Sequence, residues 1–321
     1  MRLEDVRNLK KEARKQFQSS SFVPILGKLL GKIREMTVTL GVGWVPGSQG
    51  GDDDYWLTAR IRTPFPNPHM EKRIRAILKE VTRDHFDLRY TGPVYALAGP
   101  APQSAGPRLM IGSSISHIKT VGGTLGFFAR STLPNDATRG FVSANHVIAN
   151  LGDLFKENPV VSPAGTDREI GELVRFTSLR GGGEKCTDAA FAKLNDGVSV
   201  DRSSLPEGRK LIDTVVVAEK TTRVMKLGMA SHFTQGTVTS FDQDTFSTRY
   251  RFGKVNFEDQ IEVESADERP FAIGGDSGAL VHNDAGHALG LLFAATEAGL
   301  VYVNPIQHVL SELHVKIDVE P

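Results

Sequence analysis

A disulfide within this chain is excluded, because Cys186 is its only cysteine. Its fold must stand without staples, and such cysteine usage points to a reducing compartment. Net charge is lacking too. Lys and Arg together number 38, and Asp and Glu together number 38. No global field draws the chain to nucleic acid or to an anionic membrane, so neither is expected as a partner. Long apolar runs are also missing. Stretches such as Leu289 to Ala295 fall far short of the ~20 residues that span a bilayer. Met1 to Ser20 is charged throughout and has no apolar stretch of the secretory kind. A cytoplasmic protein is expected. Asp52 to Asp54 make an acidic tip with no further ligand cluster nearby, which reads as a solvated loop. No metal and no cofactor are expected.

Hydrophobic residues make up 40% of the chain, enough for a real core. At the start, Leu3, Val6, Leu9 or Lys10, Ala13 and Phe17 fall at helical steps, with Arg and Lys between them. Such a basic amphipathic helix is expected to pack on its own domain. Met36, Val38, Leu40, Val42 and Trp44 alternate as in a strand, and so do Leu57, Ala59 and Ile61. Met70, Ile74, Ile77, Leu78 and Val81 return to helical spacing. Residues 1–98 therefore read as a small α+β domain. Residues 99–108, rich in Pro, Gly and Ala, read as a linker. Residues 109–321 change pattern. Short apolar stretches recur between turn residues, among them 123–129, 140–144, 170–176, 189–194, 213–218, 236–240 and 289–294. That pattern implies an all-β sandwich or a pair of barrels. Pro305 to Leu313 has the spacing of a short closing helix.

The sharpest chemical signal is Gly274-Gly275-Asp276-Ser277-Gly278, just ahead of the apolar run Ala279-Leu280-Val281. A nucleophilic serine needs backbone N–H groups beside it to hold an oxyanion, and the glycines let those of Gly275 and Ser277 converge. Serine also needs a base to take its proton. His146 ends the apolar run Gly140 to Ala144 and is the candidate; His117, His232, His282, His287 and His308 are its rivals. A carboxylate must then orient the imidazole. Asp188 heads the small apolar run Ala189 to Ala192, whereas Asp167 and Asp196 sit among turn residues and charges. The chain order is His, Asp, Ser, which is that of chymotrypsin and not of subtilisin or the α/β-hydrolases.

With these residues in place, Pro107 to Leu313 resembles the trypsin/chymotrypsin-like serine peptidase superfamily. It is most similar to an intracellular, disulfide-free branch with bacterial members and plant proteins of the NARROW LEAF type. The resemblance is carried by Arg108 to Ile115, Gly123-Thr124-Leu125-Gly126, Asn145-His146-Val147, Asp188-Ala189-Ala190, Gln235-Gly236-Thr237-Val238 and Gly275 to Val281. It implies a mainly β fold, with two six-stranded antiparallel barrels and an active site between them. It also implies a serine endopeptidase acting on a protein or peptide substrate through an acyl-enzyme. Its base would be His146, its orienting carboxylate Asp188, its nucleophile Ser277, and its oxyanion hole the N–H groups of Gly275 and Ser277. A silent peptide-binding module and an esterase of the same fold are the alternatives.

Phe271, six residues before the nucleophile, is expected at the base of the specificity pocket, with Ala294, Ala295 and Gly299 along its walls. Apolar or small side chains before the scissile bond should be preferred. Asp276 needs a partner for its charge. That partner is either a terminus freed at Thr120 or an internal contact, and the internal contact is expected. A regulatory partner docking on the first domain would act by ordering the loop of Asp276.

Overall fold

The computed structural model describes residues 1–19, 38–48, 51–97, 99, 108–149, 159–180 and 183–319. The proposed linker, apart from Gly99 and Arg108, lies outside the described residues.

The first unit packs two helices on a three-stranded sheet. The helix Leu3–Ser19 buries Val6 and Ala13 completely and lays Leu3 and Phe17 on the same core. Its acidic Glu4 and Asp5 sit in the first turn, where the helix dipole favours them. The helix Pro68–Thr82 starts on Asn67, whose side chain accepts the Met70 N–H, and has proline at its first position. Met70, Ile74 and Leu78 form its buried stripe, and Arg83 closes it in a left-handed conformation. The middle strand, Tyr55–Ile61, pairs antiparallel with Val38–Trp44 and parallel with Phe86–Tyr90.

Alternating strands of this kind predict one wet face, yet Thr39 to Trp44 are all buried. The reason is a second unit on the other side. Val42 and Phe241 exchange backbone hydrogen bonds of 2.8 and 2.7 Å. Leu40, Val42, Trp44 and Leu57 share one apolar core with Val238, Phe241, Ile261, Val263, Val301 and Val303. Arg60 crosses the same seam and meets Glu262 at 2.8 Å and Asp87 at 3.0 Å. Burial alone would push the Glu262 carboxyl up; the Arg60 charge and hydrogen bonds outweigh it and hold it at about 2. At the rim, Arg7 pairs with Glu219 and Asp242, both at 2.7 Å, and Lys10 pairs with Asp244 at 3.2 Å.

The remainder is mainly β, built as an antiparallel half-barrel followed by a closed antiparallel barrel. The second barrel closes. Its six strands run in the ring Arg223–Gly228, His232–Ser240, Ile261–Ser265, Val301–Pro305, Ala288–Thr296 and Leu280–His282, and the last pairs with the first. The first is a half-barrel and not the closed six-stranded barrel expected. Its sheet runs Val315–Ile317, Phe127–Ser131, Arg139–Ser143, Ala190–Leu194, Glu169–Phe176, Pro159–Val161, Ser114–His117, Gly123–Thr124. The last strand is two residues long, and among the described residues no pairing joins the two ends. Residues 213–218, expected as a strand, make only an isolated bridge from Val215 to Ala288. The closing helix is Ile306–Glu312. Among the described residues no helix is long and apolar enough to cross a membrane.

Candidate active site

The strand Arg139–Ser143 runs into a single helical turn, Asn145–Ile148, which carries His146. The neighbouring strand pairs Ala190 with Ser143, so Asp188, two residues ahead of Ala190, arrives beside the imidazole. Asp188 Oδ2 lies 2.6 Å from His146 Nδ1, and Oδ1 accepts the His146 backbone N–H at 3.2 Å. A carboxylate only accepts, so Nδ1 carries a proton, and in the neutral imidazole Nε2 is the nitrogen with the lone pair. Nε2 finds no hydrogen-bond partner among the described residues.

Tyr250 completes this cluster, and nothing in its sequence setting signalled it. Its hydroxyl donates to Asp188 Oδ2 at 2.6 Å, and its ring meets the imidazole edge-on with centroids 5.8 Å apart. Burial and the Asp188 charge push the phenol well above its ordinary range, so Tyr250 stays a donor. The Asp188 backbone N–H donates to Asn304 Oδ1 at 2.9 Å, and Asn304 in turn donates to Gln260 at 2.6 Å. Each contact fixes the carboxylate where it faces Nδ1.

Ser277 sits in the glycine turn expected for it. Gly278 has φ 89, and a side chain there would meet Ser143 Oγ at 2.1 Å and Thr124 O at 2.4 Å. Glycine thus lets the serine turn lie directly on the strand that delivers His146. Thr124 ties down the other side: its N–H donates to Ser277 O at 2.8 Å and its hydroxyl to Gly275 O at 3.0 Å. The Ser277 hydroxyl does not bond to His146. It donates to Leu97 O at 2.6 Å and lies 3.2 Å from Phe293 O. Ser277 and Asp188 are fully buried, and His146 is 7% exposed.

The partner of Asp276 is Lys226. The Nζ–Oδ2 distance is 3.3 Å and neither side chain has any exposure. Burial pushes the Lys226 ammonium down, and Asp276 pulls it back only in part. The carboxylate also accepts the N–H groups of Ile273, Ala230 and Ser231 at 3.0, 3.0 and 3.1 Å, and the Ser231 hydroxyl at 2.6 Å. The Thr120 hydroxyl donates to Val147 O at 2.6 Å. The sequence does mark Lys226: it stands among Val224, Met225 and Leu227, where a lysine implies a buried partner.

No family model matches this sequence. No curated protein matches it either. Solved structures do. Protease A of Thermobifida fusca is 17% identical over 65% of this chain and 98% of its own, with a TM-score of 0.45. A Cellulomonas bogoriensis chymotrypsin is 15% identical over 66% of this chain and 100% of its own, with a TM-score of 0.45. A Nocardiopsis protease is 18% identical over 65% and 98%, with a TM-score of 0.44. These likenesses carry no chemistry to this chain, and the double-barrel architecture rests on the strand order given above.

The four pocket residues do not share one wall. Phe271 and Ala295 belong to one apolar cluster. Ala294 belongs to another, with Val94, Phe293 and Tyr302, because consecutive residues of the strand Ala288–Thr296 point to opposite faces. Gly299 lies in the turn after Thr296, with open space around it. Of the rival histidines, His308 pairs with Asp259 at 2.6 Å, and His282 faces the Asn283 carbonyl at 2.8 Å. Burial pushes His117 and His282 down, which keeps them neutral.

Proposed function

We propose that this chain is a serine endopeptidase. Ser277 is its nucleophile, His146 its general base, Asp188 the group that orients the base, and the N–H groups of Gly275 and Ser277 its oxyanion donors. The observation that carries this reading is the 2.6 Å contact from His146 Nδ1 to Asp188, which leaves the Nε2 lone pair for the serine proton. His146 takes the hydroxyl proton as Oγ attacks a peptide carbonyl, then returns it to the leaving amine. Water releases the acyl group by the same steps. Lys226 does for Asp276 what a freshly cut terminus would do, which supports the uncut chain as a working form. Phe271 and Ala295 favour an apolar residue before the scissile bond. The substrate is a protein or peptide, the setting is the cytoplasm, and a regulatory partner would dock on the first unit.

One observation favours a second reading, a silent peptide-binding module: the Ser277 hydroxyl is turned onto a carbonyl and not onto His146. A phosphonate probe separates the two. Ser277 should be modified in the wild type, and labelling should vanish in Ser277→Ala and His146→Ala. A wild-type Ser277 left untouched, with hydrolysis of an added apolar peptide also missing, would sink the endopeptidase.

A further inference from the structure

A short strand that follows the first unit lies against Ser277. Val94–Ala96 pairs antiparallel with the barrel strand, in the register Ala96 to Ala294, Tyr95 to Ala295 and Val94 to Thr296. Its other edge pairs in parallel with Phe246–Tyr250. Leu97 continues the ladder, its N–H donating to Phe293 O at 3.0 Å. Val94 is fully buried, Arg249 lies over the Tyr95 ring at 5.6 Å, and the Leu97 side chain packs on the cluster that holds Phe271, Ala272 and Ala295.

Beyond Leu97 the next described residue is Gly99. Gly99 bridges antiparallel to Gly122, and a side chain on Gly99 would lie 2.4 Å from the Gly274 carbonyl carbon and 2.8 Å from Gly275 N. Leu97 therefore stands on one side of Ser277 and Gly99 on the other. Ser277 Oγ is 2.6 Å from Leu97 O. With a C=O bond of about 1.23 Å, Oγ lies no more than about 3.8 Å from the Leu97 carbonyl carbon. Reacting atoms in a near-attack arrangement stand ~3–3.5 Å apart.

We infer that the peptide bond after Leu97 is a substrate of the chain's own Ser277, cut within the same molecule. The inference rests on the endopeptidase reading and names its first substrate. The hydroxyl turns from Leu97 O to His146 Nε2, and the Leu97 oxygen turns to the N–H groups of Gly275 and Ser277. Oγ bonds to the Leu97 carbonyl carbon as Nε2 takes the hydroxyl proton. The C–N bond then breaks, and the leaving nitrogen takes that proton. Water adds to the ester, Nε2 takes its proton and returns it to Oγ, and Leu97 is left as a carboxylate. Because Val94–Ala96 is paired on both edges, the new end stays seated and competes with added peptides and probes, so wild type is labelled slowly and not blocked outright.

The test is denaturing mass spectrometry of the full chain over time. Wild type should convert to fragments 1–97 and 98–321 with a rate independent of protein concentration, while Ser277→Ala stays whole. The two fragments should elute together under native conditions. Leu97→Asp should stop the cut and raise hydrolysis of an added apolar peptide at least several-fold. Leu97→Met should still be cut, which guards against loss of folding in the charged variant. A whole wild-type chain that hydrolyses the added peptide overturns the inference and spares the endopeptidase. A whole wild type beside an active Leu97→Asp makes the segment a plain inhibitor and overturns the cut. A rate that rises with concentration overturns cutting within one molecule. No labelling of Ser277 in any variant sinks both readings.

Discussion

Replacing Lys226 by Met keeps most of the length of the side chain and removes its charge. Asp276 would then be buried with no cation, where both groups now have no exposure and sit 3.3 Å apart. Deleting one partner of a buried ion pair costs ~3–5 kcal/mol. Asp276 would keep three backbone N–H donors and the Ser231 hydroxyl. The lower end of that range, about 3 kcal/mol, is therefore expected. Urea unfolding should report it as a lower midpoint at unchanged slope. Asp276→Asn strands the lysine instead and should cost a similar amount. The double variant removes both charges, so a coupling of ~2 kcal/mol should appear in the cycle. Asp276 adjoins Ser277 and ties Ile273, Ala230 and Ser231 to its turn. Phosphonate labelling of Ser277 in Lys226→Met should therefore slow by about tenfold or more. A Lys226→Met variant within ~0.5 kcal/mol of wild type, with the same labelling rate, would refute the reasoning.

Tyr250→Phe removes one of the two 2.6 Å donors to Asp188 Oδ2. Such a bond to a charged group is worth ~1.5–3 kcal/mol, so kcat should fall about tenfold or more with KM held, as steady-state kinetics would read. Glu262 sits at about 2 in the folded protein against an ordinary value of 4.5. Its depressed value adds roughly 3 kcal/mol of stability above pH 4.5, which is lost as pH falls toward 2. Chemical denaturation of Glu262→Gln should give lower stability at neutral pH and a flatter acid limb. Gly278→Ala places a methyl 2.1 Å from Ser143 Oγ at φ 89. It should cost about 2 kcal/mol or more and slow the labelling of Ser277, by calorimetry and mass spectrometry respectively.

Ser277, His146 and Asp188 were legible because each announces itself locally. Ser277 has its glycines, His146 ends an apolar run, and Asp188 heads a run of small residues. What the sequence hid is what the fold brings from afar. Tyr250 reaches Asp188 from a strand whose pattern says nothing of a carboxylate. Leu97 looked like the end of a first domain, yet its backbone finishes a ladder on the second barrel. Placing Ala294 and Ala295 on one wall runs against strand alternation, which sends consecutive residues to opposite faces. The shared core was invisible for a related reason: apolar alternation tells that a face is buried, not what buries it.

That shared core has a consequence for how the chain is made. Arg60 and Glu262 are 202 residues apart. At ~5–20 residues per second, roughly 10–40 s pass between their emergence from a ribosome. Leu40, Val42, Trp44 and Leu57 wait at least as long for Val263, Val301 and Val303. The first unit thus leaves the ribosome with an apolar sheet face uncovered and the Arg60 guanidinium paired with Asp87 alone. Its assembly completes only when the last barrel strands arrive, so the first-made part of this protein is among the last to become stable.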